Sequence, residues 1–243
     1  MSHDTELAGQ RVVVIGGTSG IGLETARRAR AEGADVTITA RDPDRLHDVG
    51  IELEATTAAF DALDFERLDR FFDELPTPID HLMLTGPGPY YAPLAEFDFD
   101  EARREVDAHL WLPLHIARNA ASKMRPGGTL LFIGGTGGRR PTAGFALISA
   151  LTAAIPAMAR TLAVELAPVR VNVIAAGFVD TPLSASLLGD QLDQRREQLR
   201  RTLPTGRVVG PADIAAVAIH LMTNTAITGA TYDIDGGQQL VNA

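Results

Sequence analysis

A chain of 243 residues, 45% of them hydrophobic, can fill one sizeable core and hardly two, so we expect a single domain over residues 1–243. The formal net charge of -9 excludes the basic field that would hold nucleic acid or an anionic membrane surface. The absence of cysteine excludes disulfides, thiolate catalysis and zinc–thiolate centres, and we expect no metal site.

The chain begins with a polar, acidic segment rather than a basic one followed by an apolar run, so no secretory signal is predicted. No run approaches the roughly 20 apolar residues that a membrane span needs. We therefore expect a soluble cytoplasmic protein that acts on a small molecule, with neither nucleic acid nor a membrane as partner.

Short apolar runs alternate with helical patterns along the whole chain, without a linker or a repeat. The predicted strands are 12–15, 35–39, 58–61, 81–84, 129–133, 170–174 and 231–234. The predicted helices include 23–31, 64–74, 100–121, 145–166 and 213–222, and a polar segment covers 184–201. Seven strands alternating with six helices predict an α/β, doubly wound Rossmann-type three-layer sandwich, with a seven-stranded parallel sheet and about three helices on each face.

The first strand stops at glycines spaced Gly-x-x-x-Gly-x-Gly. Such glycines allow a tight turn, a close backbone approach and packing of the next helix, and a helix N-terminus binds phosphate. An ordinary strand-to-helix turn is the alternative, but the position of the glycines directly after a strand favours a dinucleotide site. The predicted cofactor-binding residues of this stretch are Gly16, Thr18, Ser19, Gly20, Ile21 and Gly22.

Arg41 follows the second strand, which ends beside the adenosine ribose in a doubly wound nucleotide fold. A carboxylate there would accept a hydrogen bond from a free 2′-hydroxyl, whereas a guanidinium pairs with a 2′-phosphate. Arg41 therefore favours NADP(H) over NAD(H). The alternative is a solvated arginine that pairs locally with Asp42 or Asp44.

The glycine stretch resembles the fingerprint of the short-chain dehydrogenase/reductase family, usually Thr-Gly-x-x-x-Gly-Ile-Gly, with Ile15 where most members have Thr. Residues 171–182, Val-Asn-Val-Ile-Ala-Ala-Gly-Phe-Val-Asp-Thr-Pro, resemble the family's segment after the sixth strand, usually Asn-x-x-x-Pro-Gly-x-x-x-Thr, with Ala176 in place of Pro. Thr228-Gly229 and residues 235–237 match the closing signature. The resemblance covers nearly the whole chain.

This resemblance implies further cofactor contacts. Asp61 matches an aspartate that bonds the adenine amino group, with Ala62 beside it; the alternative for Asp61 is an N-cap of the next helix. Thr85 and Gly86 stand where members usually have Asn-Asn-Ala-Gly. The residues matching Val179 and Thr181, after Gly177, contact the carboxamide and phosphate side of the cofactor.

The family's proton donor is a tyrosine, whose pKa is lowered by a lysine four residues later. A serine orients the substrate oxygen, and an asparagine helps to hold the lysine. Alignment from residues 160–168 places Ile148 at the tyrosine position and Thr152 at the lysine position. It places Gly135 at the serine position and His109 at the asparagine position. A Tyr-x-x-x-Lys pair occurs nowhere in the sequence, where Lys123 is the only lysine.

Several residues are candidates for the missing proton donor. His109 has a suitable intrinsic pKa, Tyr90 or Tyr91 could reach in from the loop after the fourth strand, and Thr136 could donate a hydroxyl. Arg139 or Arg140 could stabilise an oxyanion or hold an acidic substrate. Purely structural roles are the alternative for each. Pro156 predicts a bend or an opened turn at residues 152–156.

Three functions are compatible with these residues. The first is an NADP(H)-dependent oxidoreductase of a carbonyl, alcohol or activated C=C group, with a non-standard proton donor. The second is a catalytically silent NADP(H)-binding sensor or assembly partner. The third, non-redox chemistry as in halohydrin dehalogenases, is disfavoured because those proteins keep Ser and Tyr and remodel the glycines. The resemblance also implies a homodimer or homotetramer, with Leu110 and Trp111 as candidate contacts; the substrate is not specified.

Overall fold

The computed structural model describes residues 5–86 and 88–241. Residues 1–4, in the polar N-terminal segment, Pro87, in the loop after the fourth strand, and residues 242–243 lie outside the described residues. The strands are β1 (Arg11–Ile15), β2 (Asp35–Ala40), β3 (Thr56–Ala59), β4 (Ile79–Leu84), β5 (Met124–Gly135), β6 (Arg170–Ala176) and β7 (Thr231–Ile234). They form one sheet in the order β3-β2-β1-β4-β5-β6-β7, and every paired neighbour is parallel.

Strand β1 lies at the centre of this sheet, between β2 and β4. Val12 and Val14 enter one core cluster, whereas Val13 and Ile15 enter the other. A strand that is covered on both faces has a nearly continuous apolar sequence, and residues 12–15 of β1 have such a sequence. The strand order reverses between β1 and β4, and in such sheets ligands bind in the crevice at the carboxyl ends of the strands.

The helices of the described chain are α1 (Gly20–Ala31), α2 (Pro43–Leu53), α3 (Phe65–Glu74), α4 (Phe99–Val106), α5 (Leu112–Ala120), α6 (Ala146–Glu165), α7 (Pro182–Leu188), α8 (Leu192–Thr202) and α9 (Pro211–Thr223). One core cluster joins α3, α5 and α6 to one face of the sheet. A second joins α1, α2 and α9 to the other face. The predicted three-layer sandwich with three helices on each face is confirmed.

The sequence prediction missed α2 and left residues 184–201 as a polar segment. Helix α2 buries Leu46, Val49 and Leu53, and the Asp42 carboxylate caps it by accepting two backbone N–H groups. The polar segment forms α7 and α8, of which only Leu199 is buried within the described residues. With so little apolar surface to bury, these two helices leave almost no hydrophobic pattern in the sequence.

A single π turn, Asp107–Trp111, joins α4 to α5. Within it, Leu112 donates its backbone N–H to the carbonyl of Asp107, five residues earlier. Pro113 has no N–H for the carbonyl of His109, and its ring crowds that carbonyl. The wider turn relieves this crowding, and such turns occur frequently at functional sites.

Helix α6 runs without a break from Ala146 to Glu165 although Pro156 lies inside it. The opened turn, one of the two alternatives predicted at residues 152–156, is therefore wrong, and the bend stays a prediction. Proline removes one backbone donor, while Ile155 and Ala159 on either side are buried in the core and hold the helix against the sheet. Among the described helices, α6 alone is long and apolar enough, by length and composition, to cross a membrane.

Candidate cofactor cleft and active site

Hydrogen bonds fix the turn after β1 at the carboxyl edge of the sheet. Gly16 and Gly17 both donate their backbone N–H to the carbonyl of Thr39, each at 3.0 Å. The hydroxyl of Thr85, directly after β4, shares its proton between the carbonyls of Ile15 at 2.9 Å and Gly16 at 3.0 Å. Thr85 therefore fastens the glycine turn to the exit of β4.

The glycine turn leaves the start of α1 open to an anion. A Cβ on Gly22 would lie 2.2 Å from the carbonyl oxygen of Gly16, so only glycine fits there. Gly20 has a φ of +51° and lies against the Thr181 side chain. Ser19 caps α1 without a side-chain hydrogen bond, and the first turn holds no acidic residue. Its backbone N–H groups are thus available to a phosphate. Two further predicted residues, the buried Thr18 and the partly exposed Ile21, lie in the same stretch.

Arg41 lies exposed directly after β2. Within residues 5–86 and 88–241 it forms no ion pair, because the Asp42 carboxylate is used to cap α2. The alternative, a local pair with Asp42 or Asp44, is therefore not formed. A guanidinium without a protein partner at this position suits a 2′-phosphate.

Asp61 and Ala62 lie in the connection from β3 to α3. The Asp61 carboxylate accepts the backbone N–H of Leu63 at 3.0 Å. The N-cap of α3 is Asp64, whose carboxylate accepts the backbone N–H of Arg67 at 3.0 Å. The alternative that Asp61 caps this helix is wrong, and its role toward adenine stays a prediction.

Residues 177–181 leave β6 toward the same cleft. A Cβ on Gly177 would lie 2.5 Å from Cβ of Asp235, so the backbone at Gly177 packs closely against residues 235–237. Val179 is buried and pairs with Val209 in an isolated bridge. Thr181 caps α7 by accepting the backbone N–H of Ser184 at 3.3 Å. Together with the glycine turn, these residues fit a dinucleotide laid along the carboxyl edge of the sheet.

Of the four residues predicted to stand at the family's catalytic positions, Ile148, Thr152 and Gly135 carry neither an acid nor an ammonium group, and His109 carries an imidazole. Ile148 is buried at 5% exposure. The hydroxyl of Thr152 donates back to the carbonyl of Ile148 at 2.7 Å. A Cβ on Gly138 would lie 2.5 Å from Oγ1 of Thr152, so the turn after β5 packs directly on α6. Gly135, at the end of β5, also lies against the methyl group of Thr152.

The two loop tyrosines differ in environment. The Tyr90 phenol oxygen accepts the backbone N–H of Asp98 at 2.8 Å, and its ring packs edge-on against Phe97. Tyr91 stacks on Phe145, with ring centroids 4.4 Å apart. Burial, and secondly the charge of Glu105, raise the pKa of Tyr91, which makes this phenol a weaker acid. Proton donation by either tyrosine stays a prediction.

The other predicted donors and cations have protein partners. The buried Thr136 hydroxyl donates to the carbonyl of Ala176 at 3.5 Å. Arg139 forms a two-pronged ion pair with Asp233, with Nη2 to Oδ1 at 2.6 Å. Arg140 donates to the carbonyls of residues 239 and 241. The two arginines thus fasten the turn after β5 to the C-terminal segment instead of facing a substrate.

His109, in the π turn, lies next to the exit of β4. A Cβ on Gly86 would lie 3.9 Å from its Nε2. Its Nδ1 lies 3.2 Å from the carbonyl oxygen of Glu105 and 3.4 Å from the carboxylate oxygen Oε1 of the same residue. Oε1 also accepts the backbone N–H of Tyr90 at 3.0 Å. Nδ1 is therefore held by Glu105, whereas Nε2 lies on the side of Gly86.

Sequence reasoning missed Glu105. The available signal was its spacing of four residues from His109 on a predicted helix, which brings the two side chains to one face. Within the described residues, no group of three or more histidine, aspartate or glutamate side chains is arranged to hold a metal ion.

Comparisons with known proteins agree with this architecture. The sequence model of a family described as enoyl-(acyl carrier protein) reductase matches residues 16–239. The chain is 28% identical to the short-chain dehydrogenase/reductase malC of Malbranchea aurantiaca, over 96% of each chain. It is 31% identical to the 3-oxoacyl-[acyl-carrier-protein] reductase MabA of Mycobacterium bovis, over 93% of this chain and 91% of that one.

Solved structures show the same likeness. The structure of the MalC reductase/Diels-Alderase from Malbranchea aurantiaca superposes with a TM-score of 0.90 at 26% identity, covering 98% of this chain and 99% of that one. That of BdcA in complex with NADPH superposes with a TM-score of 0.85 at 29% identity, covering 96% and 95%. The likeness therefore extends over almost the whole length of each protein.

Proposed function

The chain belongs to the short-chain dehydrogenase/reductase family, and on that basis we propose that it is an NADP(H)-dependent oxidoreductase. Its substrate would be a small molecule with a carbonyl, alcohol or activated C=C group. The nicotinamide, when bound, supplies or accepts a hydride at the reacting carbon. The protein's own residues must hold the dinucleotide, orient the substrate and move one proton.

The glycine turn carries this proposal. Gly22 is held against the carbonyl of Gly16, and the start of α1 offers backbone N–H groups without a competing carboxylate. Thr85 and Thr181 touch this turn from two other strand exits. The NADPH complex of the similar BdcA supports the same use of the cleft.

Arg41 supports a preference for NADP(H) over NAD(H). Its guanidinium is exposed beside the expected adenosine ribose and forms no ion pair in the described part of the chain. A 2′-phosphate would give it an anionic partner with oxygens for a two-pronged bond, whereas a free hydroxyl carries no charge. The cofactor preference is therefore assigned to one side chain.

The substrate would lie between the loop after β4 and α7. Tyr91 and Phe145 form a stacked aromatic pair on one side. Leu183, partly exposed on α7, lies against Gly88, where a Cβ would be 2.7 Å from its Cδ1. Such a lining favours an apolar or aromatic substrate. His109, whose Nε2 lies beside Gly86 at the exit of β4, would serve as proton donor.

A second function, cofactor binding without turnover, has one specific observation in its favour. Ile148 is buried without a proton to give, and the Thr152 hydroxyl is bonded within its own helix. A protein with this site could bind NADP(H) and serve as a sensor or an assembly partner. The reductase is favoured because His109 offers an acid beside the cleft.

We also propose that the protein self-associates through α5 and α6. Trp111, directly before α5, is 49% exposed, and Val164 near the end of α6 is 78% exposed. Exposed apolar side chains directly before α5 and near the end of α6 support such a contact. Light scattering of the purified protein measures the mass, and a monomer at micromolar concentration would contradict this proposal.

Titration calorimetry with NADPH and NADH, followed by NADPH oxidation with aldehydes, ketones, quinones and enones, tests the function. The reductase predicts tighter binding of NADPH and oxidation with at least one class. Micromolar binding without oxidation of any class would favour the sensor. No binding of either cofactor would refute both functions.

A further inference from the structure

Glu105 is a carboxylate buried in α4 at 5% exposure. A carboxylate out of contact with water is unfavourable unless it is hydrogen-bonded and paired with a positive charge. Its Oε1 accepts the backbone N–H of Tyr90 at 3.0 Å. Among the described residues its one ion-pair partner is the ring of His109, at 3.4 Å. Within the described residues, the ring of His109 is therefore the group placed to compensate this buried carboxylate.

The contacts of His109 distinguish the roles of its two ring nitrogens. Nδ1 of His109 faces two oxygens of Glu105, the backbone carbonyl at 3.2 Å and the carboxylate Oε1 at 3.4 Å, so Nδ1 carries a hydrogen. Nε2 is left on the side of Gly86, at the exit of β4. A carboxylate behind an imidazole orients the ring and stabilises its charged form, without taking the proton itself.

The other predicted proton donors, all in the described part of the chain, have different surroundings. The charge of Glu105 adds to burial in raising the pKa of Tyr91, so this phenol is held in its protonated form. The Tyr90 phenol oxygen accepts the backbone N–H of Asp98 at 2.8 Å. The hydroxyl of Thr136 is turned to β6. Of these candidates, His109 alone has a ring nitrogen against the Glu105 carboxylate, at 3.4 Å.

We propose that Glu105 is a positioning residue that holds His109 as the proton donor of this site, an inference that rests on the proposed function. As the substrate carbon receives the hydride, the Nε2–H bond breaks and its proton passes to the substrate oxygen. The electron pair of that bond stays on Nε2, and the ring becomes neutral with its hydrogen on Nδ1. A proton from water then restores the imidazolium, and the reverse sequence serves oxidation.

The first test needs no turnover. Long-range ¹H–¹⁵N spectra of protein labelled with ¹⁵N-histidine report the charged fraction of each histidine ring at pH 7. The signals of His109 are assigned as those that disappear in the His109→Asn variant. We expect Glu105→Gln to lower this fraction and Glu105→Asp to retain part of it. Glu101→Gln, one turn earlier and paired with Arg104 at the surface, is the matched control and leaves it unchanged. An unchanged fraction in Glu105→Gln overturns the proposal.

The second test uses NADPH oxidation with 9,10-phenanthrenequinone as probe, beside calorimetry of NADPH. We expect Glu105→Gln to lower kcat by about ten-fold or more and His109→Asn by about 10²-fold or more, with the Kd for NADPH unchanged. Equal kcat in Glu105→Gln and wild type overturns the positioning role but leaves the reductase. A wild type that binds NADPH and reduces neither this probe nor the wider panel refutes the reductase, and with it the catalytic use of the pair.

Discussion

The guanidinium of Arg196, in α8, holds both carboxylate oxygens of Asp180, at 2.7 Å and 3.0 Å. Asp180 lies between Val179 and Thr181, the two residues expected to contact the cofactor after β6. The pair thus ties the α7–α8 segment, which buries almost nothing of its own, to the edge of the cleft. Asp180 lies within residues 171–182, which resemble the family segment after the sixth strand, but the sequence predicted a role for neither Asp180 nor Arg196.

We therefore expect Arg196→Gln to weaken NADPH binding several-fold, because residues 179–181 lose the support that fixes them over the cleft. Limited proteolysis should also cleave α8 faster in this variant. Arg200→Gln, which removes only a contact to Glu197 within α8, is the control. Equal Kd values for the two variants would show that the pair does not order the cleft.

Gly22→Ala should weaken NADPH binding at least about ten-fold and lower the free energy of unfolding by about 1–3 kcal/mol. The added Cβ would meet the Gly16 carbonyl oxygen at 2.2 Å, so the turn must open. Calorimetry and thermal unfolding measure the two effects. Gly210→Ala, where nothing lies within 4 Å of an added Cβ, is the control. Unchanged NADPH binding in Gly22→Ala would place the cofactor elsewhere.

Arg41→Gln should raise the Kd for NADPH by about 10- to 100-fold, the worth of a hydrogen bond to a charged group. The Kd for NADH should stay the same, since this cofactor lacks the 2′-phosphate. Arg103→Gln, on the exposed face of α4 and paired with Asp100, serves as control. An equal loss of affinity for NADPH and NADH would mean that Arg41 stabilises the loop instead of binding the 2′-phosphate.

Tyr91→Phe should leave kcat for the quinone probe within about two-fold of wild type, because a phenol whose pKa is raised is a poor proton donor at neutral pH. Tyr91→Ala should raise KM, because the stacked contact with Phe145 is lost. A loss of kcat in Tyr91→Phe with unchanged KM would transfer the proton-donor role to this tyrosine.

His81 should make the protein sensitive to mild acid. Burial lowers the pKa of His81 to about 4, against an unfolded value near 6.5, and its Nδ1 has no hydrogen-bond partner among the described residues. The unfolded chain therefore takes up the proton first as the pH falls. The stability that the neutral ring contributes is complete above about pH 6.5 and decreases by up to about 3 kcal/mol toward pH 4.

Urea unfolding between pH 4 and 7 checks this prediction. His81→Gln should show a smaller decrease of unfolding free energy across that range, whatever its stability at pH 7. His47→Gln, at an exposed position in α2, should follow the wild type. Equal slopes in His81→Gln and wild type would assign the acid sensitivity to other groups.

Much of the fold could be predicted because it depends on local patterns. The apolar run of β1 and the alternation of α and β segments were enough to predict a parallel sheet in a three-layer sandwich. Helix α2 was missed although Asp42, Pro43 and the spacing of Leu46, Val49 and Leu53 were all available as signals. Pro156 was over-interpreted, since packing on both sides of a proline keeps a core helix continuous.

The site was less predictable because its contacts join distant segments. The glycine turn is local and could be placed, but its fastening by Thr85 depends on the pairing of β1 with β4. The charge that faces His109 is one helical turn away, yet its burial depends on the loop after β4 folding over it. Tertiary packing of this kind leaves no periodic signature in one sequence.

The turn at residues 137–139 has a consequence for protein engineering. A Cβ on Gly138 would lie 2.6 Å from Cα of Ser149 and 2.5 Å from Oγ1 of Thr152, so the turn leaves little space where the side chain of a lysine at position 152 would begin. A tyrosine introduced at position 148 would start from a buried, close-packed position. Anyone who wishes to graft a tyrosine–lysine dyad onto this scaffold must therefore redesign the turn before the helix.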